Sequence, residues 1–331
     1  MNMRRVLCYS FLLLLSLLAL TLATAVRPVR AAADTVRFRE FSIPTANSGA
    51  FDITAGPDGK VWFDEVDANN IGRITTGGTI TEFPIPTANS QSFGITAGPD
   101  GAIWFTESSV NKIGRITTHG IFTEFPIPTA NSTPVSITAG PDEKLWFTEA
   151  TANKIGRITT SGVITEFPIP TANSTPVGIT AGSDESLWFT ESDGNKIGRI
   201  TTRGSITEFP VPTANSRPNR ITAGPDGKVW FTETVVNKIG RITTSGTITE
   251  FLVPTANSFP IFITKGPDGA LWFTEAFANN IGRITTRGAF TEFPIPTANS
   301  FPIGIATGPD ENLWFTEIDA NQIGRLMLDD Q

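Results

Sequence analysis

The sequence predicts an all-β protein: a seven-bladed β-propeller of four-stranded antiparallel blades, with an N-terminal strand closing the last blade. Three observations predict it. The only tryptophans, at 62, 104, 146, 188, 230, 272 and 314, fall 42 residues apart, so one supersecondary unit recurs seven times. Each unit divides into four short strand-like runs separated by turn residues at about ten-residue spacing, the signature of an antiparallel meander. Seven copies of a TEFP-like phrase also occur, but the first precedes any tryptophan, and no such phrase follows the last one.

Residues 1–33 stand outside the array. Arg4 and Arg5 precede an apolar run over 6–22, followed by Ala23-Thr24-Ala25 and Ala31-Ala32-Ala33. A basic start, an apolar middle and small residues at a cleavage site read as a signal peptide cut after Ala25 or Ala33. The alternative, an uncleaved anchor, suits the run less well, because it is short for a span. Residues 34–331 then form a single propeller domain, secreted to the extracellular space or periplasm, monomeric and with no membrane span. The one cysteine, Cys8, falls in the leader, so the domain relies on its own core rather than on disulfides. Without the four leader arginines, Lys+Arg falls from 25 to 21 against 32 Asp+Glu, and the net charge moves from −7 to −11. Such an acidic surface argues against nucleic acid or anionic membrane as a partner.

The second unit shows each element in turn. Residues 94–98 are small-sided and extended, suited to a crowded axis, and Pro99-Asp100-Gly101 turns the chain. Residues 102–107 are rich in strand formers and apolar on both faces, as expected of a strand covered by neighbouring blades. A loop over 108–111 leads to a third strand at 112–117. A turn at Thr118-His119-Gly120 then leads to a fourth at 121–128. Pro126 and Pro128 cannot donate to a central ladder, so this strand is the outer edge. Radial repetition of such blades is a propeller. Residues 36–43 should complete the blade that ends with 322–328, since an open array would leave an unpaired edge.

Features present in every blade read as structural. These include the glutamates that end the second strand (Glu65, Glu107, Glu149, Glu191, Glu233, Glu275 and Glu317), expected to cap the loops that follow, and the Asp58-type turn aspartates. His119 occupies an exposed turn tip, and with no second histidine and no mature cysteine neither a zinc site nor a Ser/His/Asp triad can be assembled.

Variation concentrates in the lead-in to the first strand and in the loop after the second, which should share one face. The lead-ins read GAFD (49–52), QSFG, TPVS, TPVG, then RPNR (217–220), FPIF (259–262) and FPIG (301–304). Arg217, Asn219, Arg220, Phe259, Phe262 and Phe301 therefore stand as the candidate ligand-binding residues at the channel mouth. The partner would be a small molecule or peptide, its anionic group taken by the arginines.

The phrase GITAGPDGAIWFTE (94–107) and its continuation NKIGRITT (111–118) with ITEFPIP (164–170) resembles the streptogramin B lyase, or virginiamycin B lyase, family over the whole mature chain. The resemblance implies a seven-bladed propeller and a magnesium-dependent elimination that opens a cyclic depsipeptide. It places the family's two histidines at Ile261 and Ile303, and its two metal-binding glutamates at Phe301 and Glu317. Only Glu317 is retained, and isoleucine cannot serve as a general base. The expectation is a secreted, non-lyase binding or scaffold propeller with no cofactor. The alternative is a carbon–oxygen lyase using magnesium at Glu317.

Overall fold

A computed structural model of the protein describes residues 36–328; the leader, its cleavage sites and Cys8 lie outside the described residues. Seven four-stranded antiparallel sheets follow one another around a ring. Blade 1 comprises Ala50–Ala55, Val61–Glu65, Asn70–Ile74 and Ile80–Pro84, ordered from the axis outward. Blade 2 repeats this with Ile95–Ala97, Ile103–Glu107, Lys112–Ile116 and Phe122–Pro126. The prolines end the outer strand as expected, Pro126 standing opposite Lys112 at the free edge.

Closure follows the predicted route. Val36–Ser42 pairs with Gln322–Leu328 in unbroken register, from Val36 opposite Leu328 to Ser42 opposite Gln322, and becomes the outer strand of blade 7. Glu40 on this strand accepts hydrogen bonds from Thr297 N and Oγ1. Five other blades make the same clamp, as Glu124 does with Thr87, and in blade 3 Glu166 keeps the backbone bond from Thr129 N. The N-terminal strand thus reproduces the outer strand of a blade down to its side-chain bonds.

The second strands are buried along their full length, which explains why they are apolar on both faces. Cores form between blades rather than within them. Trp62 of blade 1 packs with Ile103, Phe105 and Ile116 of blade 2, and Trp314 of blade 7 packs with Phe63 of blade 1. Each indole N–H donates to the aspartate of the preceding turn, Trp62 to Asp58 at 3.0 Å and Trp314 to Asp310 at 2.9 Å. The buried donor is thereby satisfied, and Asp58 and Asp310 are held below their ordinary pKa against the opposing effect of burial. The glycine of each IGR phrase makes room for an aromatic ring. A Cβ at Gly72 would stand 2.2 Å from the Phe63 ring.

The loop asparagines clasp one blade to the next linker. Asn111 Nδ2 donates to the carbonyls of Ile127 and Thr129, while its Oδ1 accepts from Ser132 N and Oγ. The glutamates that end the second strand do not cap these loops, because asparagine has taken that task. They are fully buried instead, lying against the linker serine and the outer-strand carboxyl, as Glu149 does against Ser132 and Glu166. Burial and the nearby outer-strand carboxylate push Glu107 up to about 8. Glu317 rises to about 7, mainly through burial. A buried acid of this kind is neutral at physiological pH.

Candidate functional site

The lead-ins and the loops after the second strands do share one face, tied by backbone hydrogen bonds such as Ala276 N to Phe259 O and Ile318 N to Phe301 O. The first residue of each lead-in adopts a left-handed backbone. Gly49 does so in blade 1 (φ 69°), whereas the side-chain-bearing Arg217, Phe259 and Phe301 do so in blades 5–7, at φ 50°, 61° and 54°. Bulky residues pay a steric penalty there, and such strain persists only where the surroundings enforce it.

These strained residues build an aromatic surface. Phe259 stacks on Phe277 with centroids 4.3 Å apart and planes inclined by 13°, and Phe301 stands 5.7 Å from Phe277 with its ring tilted by 51°. Phe277 is 56% exposed. It lies in the loop after the second strand of blade 6, a stretch whose variation the sequence displays, although nothing in that variation singles out Phe277 itself. Arg217, on the neighbouring lead-in, is half exposed and pairs with Asp193 at 3.3 Å.

The third and fourth lead-in positions point inward. The fourth runs Asp52, Gly94, Ser136, Gly178, Arg220, Phe262 and Gly304 around the ring. These inner strands approach so closely that a Cβ on Gly178 would meet Asn219 O at 2.6 Å. Arg220 and Phe262 are buried, at 6% and 5% exposure, so they sit within the channel rather than at its mouth. The Arg220 guanidinium lies 4.2 Å from the Phe262 ring centroid and 5.8 Å from that of Phe51, and its Nη2 donates to Phe93 O at 3.1 Å. Asn219 is half-buried.

Two carboxyls face Arg220 from blade 1. Asp52 accepts the backbone N–H groups of Ile53 and Ile95, and Asp64 accepts Asp52 N at 2.8 Å and Ser92 Oγ at 3.3 Å. Burial pushes Asp52 up to about 6 against the pull of Arg220, and burial together with Asp52 raises Asp64 well above its ordinary value. Burial also lowers Arg220 from its ordinary value, opposed by both aspartates. The structure therefore separates the six predicted residues into two groups. Arg217, Phe259 and Phe301 stand on the open rim, while Arg220 and Phe262 lie in the channel with Asn219 beside them.

Glu317, the position that the resemblance matches to a metal-binding carboxylate, is fully buried beside Pro302 at the start of its blade. Among the described residues no group of three or more His, Cys, Asp or Glu side chains gathers as a metal site. Magnesium demands a near-octahedral oxygen shell, usually with more than one charged donor or several waters. A single buried carboxyl raised to about 7, with Ile303 in place of a polar neighbour, does not fit that ion.

Comparison with known proteins agrees with this architecture. The solved structure of virginiamycin B lyase from Staphylococcus aureus, in selenomethionine form, matches with a TM-score of 0.85 and 46% identity, covering 89% of this chain and 100% of that one. A catalytically inactive histidine-to-alanine variant of the same enzyme, solved with quinupristin, matches equally, at 0.85 and 46%, over 89% of this chain and 100% of its own. A shorter stretch, 47 residues at 45% identity, matches virginiamycin B lyase of Saccharopolyspora erythraea and spans only 16% of that relative and 14% of this chain. The profile of the virginiamycin B lyase family matches residues 18–222 and 181–331. Together with the seven-bladed ring, that match shows that the chain belongs to the virginiamycin B lyase family.

Proposed function

We propose that this chain is an exported propeller that binds its ligand on the lead-in face and has replaced the lyase chemistry of its relatives with recognition. The observation that carries this reading is the cluster of exposed Phe277 with Phe259 and Phe301, the latter two held on strained backbone. Aromatic planes at a rim suit a ligand with flat apolar parts, and Arg217 adds a cation for a carboxylate or an acidic hydroxyl. The ligand class is an amphipathic cyclic peptide or an aromatic small molecule. Support comes from the positions that the family fills with histidine. Ile261 and Ile303 are 1% and 0% exposed and can neither take nor give a proton.

Quinupristin is the natural probe, since an inactive relative was solved with it. Calorimetric titration into residues 34–331 should show binding without magnesium, and Phe277→Ala should weaken it at least tenfold with an unchanged melting temperature. Equal affinity for both proteins removes the aromatic patch from the reading. Absence of binding removes cyclic depsipeptides from the ligand class. Export is tested separately: the protein recovered outside the cytoplasm should begin at Val26 or Asp34.

One observation favours a second reading, a residual lyase. Glu317 has a carboxyl raised to about 7, a value suited to proton transfer near neutrality. Its six counterparts are raised in the same way, however, which marks the shift as a property of the fold. Mass spectrometry of quinupristin incubated with the protein and magnesium decides the matter. Ring opening that chelator stops and Glu317→Gln abolishes would overturn the non-lyase reading.

A further inference from the structure

Six blades use one hydrogen-bond relay at the axis, and blade 1 lacks it. The second-strand threonine hydroxyl accepts a backbone N–H from its own inner strand and donates to a carbonyl of the next blade. Thr148 accepts from Ser136 N at 3.1 Å and donates to Val177 O at 2.9 Å. Thr232 accepts from Arg220 N and donates to Ile261 O, Thr274 from Phe262 N to Ile303 O, and Thr316 from Gly304 N to Phe51 O. In blade 1 the threonine is replaced by Asp64, the single WFDE among the WFTE phrases. Its carboxyl still accepts from Asp52 N. Its other oxygen accepts from Ser92 Oγ, so both oxygens are engaged as acceptors and the carbonyl that the relay would satisfy, Phe93 O of blade 2, takes its hydrogen bond from another donor.

That donor is Arg220 Nη2, at 3.1 Å from Phe93 O and 127 positions away in sequence. Counting either way round the ring, blade 5 lies three blades from blade 1 and three from blade 2, so the side chain reaches over the axis from the far wall. Glycine or serine occupies the same position in blades 2, 3, 4 and 7, where no such reach is possible. Phe51 meets Phe93 at 5.3 Å and Phe262 at 5.7 Å, both edge-on, and Arg220 lies against Phe51 and Phe262. The guanidinium thus fills the axis, with Nε and Nη1 buried and without a partner.

We infer that Arg220 and Asp64 are a reciprocal pair in which Arg220 supplies, from the opposite wall, the hydrogen bond that Asp64 cannot, and that the pair plugs the axial channel. Asp64 in turn offsets the buried charge of Arg220, with Asp52 as the second anion. Removing Arg220 leaves two buried carboxyls without a cation, and removing Asp64 leaves Arg220 with Asp52 alone, so the two losses are coupled rather than independent. The plug also confines any ligand to the rim, so this inference goes beyond the reading of the aromatic patch and does not depend on it.

A double-mutant cycle and a thiol probe test the pair. Arg220→Gly and Asp64→Thr should each lower the denaturation midpoint, while the double variant, which restores the relay of the other six blades, should lose clearly less than the sum of the two. Where a single variant fails to fold, recovery of folding in the double variant supports the pairing equally. Additive losses, or a double variant that does not fold, overturn the pairing. For the plug, Ser136→Cys places the one thiol of residues 34–331 at a channel position. Its alkylation by iodoacetamide should run at least tenfold faster when combined with the double variant, and an unchanged rate overturns the closure of the channel.

Discussion

The outer half of each blade and the axial end of the ring obey different rules. Outside, every blade repeats the same contacts: indole to aspartate, asparagine to linker, glutamate to threonine. Inside, the seven equivalent fourth lead-in positions hold aspartate, glycine, serine, glycine, arginine, phenylalanine and glycine, and the contact that matters most joins blades on opposite walls. Repetition suits the periphery because each blade meets only its neighbours there. At the axis all seven blades meet, so one substitution is answerable by another half a ring away. Stability in such a molecule is periodic, and individuality is gathered at the centre and on the lead-in face.

The largest effect should come from breaking the periodic side at its seam. Deleting residues 36–43 strips blade 7 of its outer strand, of the Phe41 stack on Trp314 and of the Glu40 clamp on Thr297. A cooperative thermal transition should be lost; a protein that still melts cooperatively at the parent temperature would refute the clasp. Next, Trp146→Ala should cost about 3–5 kcal/mol in denaturant unfolding, since it opens a fully buried cavity between two blades. A loss under about 1 kcal/mol would mean that the interblade core is not the main source of stability.

The pH dependence comes third. Glu65, Glu107, Glu149, Glu191, Glu233 and Glu275 are raised to about 8, by burial first and by a neighbouring carboxylate second. The unfolded chain ionises them near the ordinary value of about 4.3, so it binds fewer protons than the folded chain between there and about 8. Their contribution is complete below the ordinary value and is lost as pH rises to about 8. The outer-strand partners Glu124, Glu166, Glu208 and Glu250 are lowered, their hydrogen bonds and lysine neighbours outweighing burial, and they lose stability as pH falls below the ordinary range. Denaturation midpoints should therefore peak near pH 5 and decline toward pH 8. Glu149→Gln, which keeps the shape of the neutral acid, should be neutral at pH 5 and stabilising by on the order of 1 kcal/mol at pH 8. A destabilised variant at pH 8 would show that the carboxylate itself is needed.

The smallest effect lies on the strained face. Thr133 is β-branched and holds φ at 53°, where Gly49 stands in blade 1. Thr133→Gly should relieve the backbone and shift stability by no more than about 1 kcal/mol, in the stabilising direction, despite losing the exposed bond from Thr151. A clear loss would show that the rim is not strained.

The contrast between the two regions also explains what was legible in the sequence. Blade number, strand order and the closing strand were all readable, because the tryptophan spacing and the outer-strand prolines are local signals that recur. The capping role given to the second-strand glutamates failed because two polar residues end that hairpin, and only the geometry shows that Asn111-type side chains reach the linker first. Among the candidate site residues, the lead-in positions were visible as variation, but their depth was not. Arg217 and Arg220 are three residues apart, yet one faces solvent and the other crosses the axis. Asp64 carried a signal in its departure from threonine, though its meaning depends on a partner that shares no periodic spacing with it. Phe277 became a candidate only once its ring was seen against the phenylalanines of two lead-ins.

The seam has a bearing on how the chain reaches its native form. Val36 ends opposite Leu328, so the first segment of the domain to be made must wait for nearly the last before it finds its mate. Such distant closure is slow, and a solitary strand invites wrong company during the delay. Charge set among the aromatics of that segment, at Arg37, Arg39 and Glu40, helps keep it apart from other growing chains until the circle can shut.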